Sequence, residues 1–180
     1  MSFEEEIKSI VNSENSDAST SKRFIERLMD AGYARDENPA SHYCIYFLPY
    51  NPKTKEVFLV SHKKSGLWIF PGGHIDKGED LMQTLNREIH EELGVKDRIT
   101  GNIQPFLLTI TPMNDPKRSC KEHLDIWYRF ESDGNEFNVG TEEFNETRWL
   151  TIGEARKLVT DVPNLKALDK IEKIFGGSSM

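Results

Sequence analysis

The chain has 180 residues, 37% hydrophobic and 29% charged, with a formal net charge of −7. That length suits one domain with a sizeable core and a short extension, at the composition of an ordinary globular protein. The acidic balance excludes the basic stripe of a phosphate-backbone binder, so no DNA binding is expected, and no apolar run approaches the roughly 18 residues of a membrane span.

The opening S-F-E-E-E-I-K is acidic and interrupted, unlike a secretory leader. Cys44 and Cys120 are too few for a disulfide framework and are not spaced as a metal knuckle, so the cytoplasm is the expected compartment. Residues 2–12 predict a short amphipathic helix around Phe3, Ile7, Ile10 and Val11. The polar run from Asn12 to Ser21 reads as a linker, and a second helix is expected over Lys22 to Ala31, stopped by Gly32. Residues 1–40 thus read as a helical extension to a domain over 41–176. Three roles stay open for it: packing on the core, forming a homodimer interface, or covering the substrate.

Strands are expected over His42 to Tyr50, Glu56 to His62 and, briefly, Leu67 to Phe70, with polar turns between them. Further on, Ile103 to Thr111 and Leu124 to Phe130 read as strands, joined by a long loop with two prolines and several basic residues. Arg148 to Leu150 reads as a last strand. Thr151 and Glu154 form a capping box for a helix through Leu158, and a final helix follows Pro163. Residues 177–180 read as a flexible tail. Strands first, then a helix in the middle and at the end, predict a mixed sheet covered on both sides, an α+β architecture.

The most informative stretch runs from Pro71 to Val95. A Pro-Gly-Gly turn, expected to be irregular, leads through a short loop to a helix capped by Asp80 and ended by Gly94. Leu81, Leu85, Ile89 and Leu93 recur every four positions and mark its buried stripe. Glu88 and Glu92 project within roughly 40° of each other beside that stripe, with Glu91 about one turn along. Like charges at this spacing repel, more so when partly buried. The trio is either a solvated acidic face or the carboxylate set of a divalent cation, and oxygen-only ligands suit Mg²⁺ or Mn²⁺.

Gly73, five residues, Glu79, seven residues, then Arg87-Glu88-Ile89-His90-Glu91-Glu92-Leu93-Gly94-Val95 resembles a complete Nudix box in every fixed and both apolar positions. The resemblance implies an α/β/α sandwich and metal-dependent hydrolysis of a nucleoside diphosphate linked to another moiety. It implies Glu88, Glu91 and Glu92 as metal ligands, with the Gly72 carbonyl as a further one and Glu79 close by. Arg87 either contacts phosphate or, as the family pattern favours, pairs with a carboxylate and fixes its rotamer.

Glu143, six residues before Trp149, resembles the loop glutamate that acts as metal ligand or general base in several relatives. The other reading is a solvated loop, since Glu142 and Glu146 are equally at hand. The general base therefore stays open among Glu143, Glu88 and Glu91. His74 stands where relatives carry a basic residue, to donate to phosphate when protonated or to serve structure. Arg118, with Lys117, Lys63 and Lys64, offers a phosphate contact from a turn. His90 is expected at the surface. Tyr46, Trp68, Phe70, Trp127 and Tyr128 are candidates for stacking a base, though most belong to the core.

An intact box favours a hydrolase over a silent nucleotide-binding protein of the same fold, or over an isopentenyl-diphosphate isomerase. The expected substrate is a small nucleotide: a nucleoside triphosphate, ADP-ribose or another nucleotide sugar, or a dinucleoside polyphosphate. Pro112 follows the box at a spacing similar to that in the family's ADP-ribose hydrolases.

Overall fold

The computed structural model describes residues 1–113, 119–140 and 142–177. Its strands are β1 (Ser41–Asn51), β2 (Glu56–His62), β3 (Trp68–Ile69), β4 (Gly72–His74), β5 (Leu107–Pro112), β6 (Glu122–Glu131) and β7 (Phe144–Thr151). Its helices are α1 (Phe3–Ile10), α2 (Ala18–Arg27), α3 (Leu81–Leu93), α4 (Ile152–Leu158) and α5 (Val162–Gly177). The strands form one mixed sheet in the order β3-β2-β1-β6-β5, with β4 also on β1 and β7 also on β2.

The sheet is organised around β1. One side of it pairs in parallel with β6 from Ser41↔Glu122 to Tyr50↔Glu131. The other side changes partner, taking β4 at Cys44, Ile45 and Tyr46 and β2 at Tyr50 and Asn51. Pro49 lies in the changeover. Phe47, two residues earlier, donates its N–H to Pro71 O at 3.0 Å on the changing side. The N–H that proline lacks would therefore point where no ladder partner waits, which is how a central strand accommodates it.

Side chains alternate along β1. Tyr43, Ile45 and Phe47 pack with Leu81, Leu85, Ile89 and Leu93 of α3. Leu48 and Tyr50 pack with Ile152 and Ala155 of α4 and with Leu168 and Ile171 of α5. Helices thus cover both faces, as expected of the sandwich. Among the described residues no helix is long and apolar enough to cross a membrane.

Four expectations are corrected. The second helix begins at Ala18, because Asp17 caps it by accepting from Thr20 N at 2.7 Å; the last four residues of the run read as linker, Ala18 to Ser21, are its first turn. Gly72–His74 is a strand rather than an irregular turn. A Cβ on Gly72 would sit 2.7 Å from Tyr46 Cα, so missing side-chain bulk is what lets β4 pair so closely with β1. β5 starts at Leu107, four residues later than the strand read from Ile103. β7 starts at Phe144, because F-N-E-T-R-W is a largely exposed polar strand on β2 with little hydrophobic alternation to reveal it. Residues 178–180 lie outside the described residues.

The N-terminal helices join the core. Ile7 and Phe24 are fully buried in the cluster that α3 caps, and Tyr43 donates its hydroxyl to Phe24 O at 2.8 Å. Arg27 is equally buried and donates to backbone carbonyls of Asp30, Gly32 and Ser41. Phe24→Ala is expected to lower unfolding free energy by about 3–5 kcal/mol. Urea denaturation measures it, and a loss under about 1 kcal/mol would mean that α2 is an appendage.

Candidate active site

The site is built on α3. Asp80 and Gln83 close a reciprocal capping box, each side chain accepting from the other's backbone N–H at 2.8 and 3.0 Å. Gly94 ends the helix in the left-handed region at φ 72°. Between these stops the apolar stripe is buried, and two charges go under with it: Glu88 is 7% exposed and Glu92 6%. That excludes a fully solvated acidic face.

Burial pushes the Glu88 carboxyl up to about 7, against the pull of Arg87. Burial, reinforced by the charge of Glu88, holds Glu92 well above the carboxylate range. Glu92 Oε2 is buried with no hydrogen-bond partner among the described residues. Glu91 is exposed at the edge of the pair.

Arg87 organises this edge. Its Nε and Nη2 grip Glu79 Oε1 and Oε2 at 2.8 and 2.9 Å, a bidentate fork. Nη1 donates to Glu88 Oε1 at 2.7 Å and Glu91 Oε2 at 3.1 Å, while Nη2 reaches His74 O at 2.9 Å. Glu79 also accepts from Thr84 Oγ1 at 2.7 Å and Asp76 N at 3.2 Å. Arg87, first among its partners, holds the Glu79 carboxyl below its usual range. Arg87 therefore pairs with carboxylates here, and Glu79 fixes Arg87.

Gly73 lies against Glu88: a Cβ there would sit 2.5 Å from Glu88 Cδ. Gly72, Gly73, Glu88, Glu91 and Glu92 line one open cleft of about 1270 Å³. Glu142 and Glu143 line it from the approach to β7. Glu143 is exposed, and its charge helps to raise Glu88 and Glu92. Glu146 instead pairs with Arg148 at 2.5 Å. The structure thus brings together Gly72, Glu79, Arg87, Glu88, Glu91 and Glu92, with Glu143 across the cleft.

His74 is half-buried, and burial followed by the neighbouring histidines drives it down to about 3. Burial of this kind favours a neutral imidazole at His74 near neutral pH. His90 is exposed on the far side of α3. Arg118 and Lys117 lie outside the described residues. Tyr46 stacks on buried Trp127 with centroids 4.7 Å apart, and both border the cleft.

Sequence reasoning missed His42, Cys44 and His123, which line the same cleft. It also missed Asp125, a fully buried acid that accepts from the Thr109 and Thr111 hydroxyls and is pushed up to about 7 by burial. The signal was polar residues at period two inside apolar strands: His42 and Cys44 in β1, His123 and Asp125 in β6.

Residues 40–170 match the family description NUDIX domain. The chain belongs to the Nudix family. It is 30% identical over 103 residues to an RNA pyrophosphohydrolase of Caulobacter vibrioides, a match covering 51% of this chain and 60% of that one. A probable DHNTP pyrophosphohydrolase of Lactococcus lactis is 29% identical over 85 residues, 47% of this chain and 51% of the relative. The matches thus span a little over half the length of these relatives. Among solved structures, the NUDIX domain of Shewanella oneidensis NrtR, complexed with ADP ribose, aligns at a TM-score of 0.59 and 17% identity. That alignment covers 82% of this Nudix chain and 96% of the other. The dihydroneopterin triphosphate pyrophosphohydrolase of E. coli aligns at 0.53 and 18%, covering 71% and 92%. Both show the shared fold.

Buried Glu88 makes a pH prediction for this Nudix site in chelator. A carboxyl raised from 4.5 to about 7 by folding favours the native state below pH 4.5, and that contribution is lost as pH rises through 7. Wild-type stability should fall between pH 4.5 and 7.5 by on the order of 3 kcal/mol more than that of Glu88→Gln, which cannot ionise. Parallel stability–pH curves from urea titrations would contradict it.

Proposed function

We propose that this Nudix protein hydrolyses the pyrophosphate linkage of a nucleoside diphosphate joined to another moiety, with Mg²⁺ or Mn²⁺. One observation carries the reading: two carboxylates are buried a turn apart beside a glycine strand, and an oxygen of Glu92 finds no partner among the described residues. An all-oxygen donor set of this kind fits a hard divalent cation. Glu88, Glu91 and Glu92 and the Gly72 carbonyl would hold it. Bound there, the cation neutralises phosphate oxygens and acidifies a water.

The chain's own groups do the rest. Arg87 keeps Glu88 and Glu91 in position, and Glu79 keeps Arg87 from turning toward the cleft. Glu143, exposed in the lining of the same cleft, would take a proton from an attacking water at its carboxylate. The cleft admits a small nucleotide, and Tyr46 offers an aromatic surface on its border. A cytoplasmic setting accords with a chain that has only two cysteines, Cys44 and Cys120, too few for a disulfide framework.

Turnover should vanish in chelator, and millimolar Mg²⁺ should raise Tm, because a ligand that binds only the folded state stabilises it. Glu92→Gln should remove most hydrolysis, the Tm response to Mg²⁺ and none of the fold by circular dichroism. Undiminished turnover in chelator would sink the reading. A panel of nucleoside triphosphates, ADP-ribose, other nucleotide sugars, dinucleoside polyphosphates and capped RNA, resolved by product, assigns the substrate. Binding without turnover across the panel would favour a silent nucleotide-binding protein.

Glu143→Gln should lower kcat by about 10²–10⁴-fold with a smaller change in KM, as removal of a general base does. Glu142→Gln and Glu146→Gln are the controls. Loss in Glu142→Gln instead would shift the role by one residue, and full activity in all three would return it to Glu88 or Glu91.

A further inference from the structure

The cleft carries a second set of donors that the pyrophosphatase reading does not use. His42 and Cys44 are two residues apart on β1 and so share a face. His123 is the register partner of His42 on β6, and His74 that of Cys44 on β4. Three adjacent strands thus present three imidazoles and a thiol together. One ligand atom from each lies within 4.8 Å of the others, and the rings are 4.8 to 5.2 Å apart by centroid.

His42 is the decisive member. It is 1% exposed, and its Nδ1 lies 3.1 Å from Asn38 O. Donation from Nδ1 to that carbonyl leaves a lone pair on Nε2, and Nε2 is buried without a partner among the described residues. An imidazole that belongs to a donor cluster, is oriented by a carbonyl on one nitrogen and keeps the other nitrogen unpaired has the features of a metal-ligating histidine. Left empty, that nitrogen costs the protein a desolvated polar group.

We propose that His42, Cys44, His74 and His123 form a site for a zinc-class ion, distinct from the carboxylate site. Tetrahedral zinc with three nitrogens and one sulfur sets its donors about 3.3–3.6 Å apart. The four atoms need to close by roughly 1 Å, within the reach of small side-chain rotations. Imidazole and thiolate select zinc over the hard cations that suit the glutamates. The thiolate offsets one of the ion's two charges, and Asp125, the register partner of Cys44, is a buried carboxyl whose ionised form would offset the other. Four protein ligands make the site structural, fastening β4 to β1 and β6.

The test uses the full chain, stripped with chelator and exposed to Zn²⁺ under excess Mg²⁺. Metal retained after gel filtration is counted, and Co²⁺ replaces Zn²⁺ for absorption spectra. One equivalent of zinc and a thiolate-to-Co²⁺ charge-transfer band are expected. Cys44→Ser should lose the band, His123→Asn should weaken Zn²⁺ at least about 100-fold, beyond the loss of an outer partner, and Glu92→Gln should keep both signals. If Cys44→Ser fails to fold, His123→Asn at its half-buried position decides through Tm, which Zn²⁺ should raise in the wild type only. No retained zinc, zinc displaced by Mg²⁺, or zinc lost in Glu92→Gln but kept in Cys44→Ser would each overturn the proposal. None of these readouts depends on hydrolysis, so the two readings fail separately.

Discussion

Glu88 and Glu92 are buried one turn apart on α3, and the guanidinium of Arg87 stands against only the first. Much of the neighbouring structure follows from that imbalance. Arg87 would be free to turn into the cleft if Glu79 did not hold both its Nε and Nη2. Glu79 is fixed in turn by the Thr84 hydroxyl and the Asp76 amide. The pair could not reach the β4 backbone if residue 73 carried a side chain. A packed helix whose best-buried carboxyl lacks a protein counter-charge is costly in isolation. A proton on the carboxyl relieves that cost, and the proposed cation would relieve it too, so stability and the proposed function would meet at one turn of helix.

How far the sequence foretold this depended on the range over which each signal acts. β2 was legible to the residue, because E-V-F-L-V-S-H is apolar and bounded by turns on both sides. α3 was legible for the same local reason, its cap, stripe and stop all lying within one segment. β4 was not, because glycine signals a turn whether it bends the chain or lets two backbones approach. α2 was misplaced since Ser and Thr favour both linkers and helix starts. The histidine and cysteine cluster was legible only in half: His42 and Cys44 share a strand face at period two, but His74 and His123 meet them through strand register, which no window of sequence contains.

β4 has three residues and two faces. Gly73 turns to α3 and its glutamates, and His74 turns to the imidazoles across β1 and β6. Its backbone joins the two, since His74 O accepts from the same Arg87 that holds Glu88. A strand this short has little rigidity of its own, and it is steadied by what grips it from each side.

The pairing of β1 has a consequence for how the chain is made. Ser41 bonds to Glu122 across 81 residues, and the ladder that follows is the longest in the sheet. At about 5–20 residues per second, a ribosome needs about 4–16 s to deliver that partner. β2 and β4 arrive early and close one side of β1, but the other side of this aromatic, apolar strand stays open throughout. Translation speed therefore sets how long the centre of the protein is exposed to other nascent chains. The segment from 52 to 121 is, in effect, a timer on the exposure of this apolar strand.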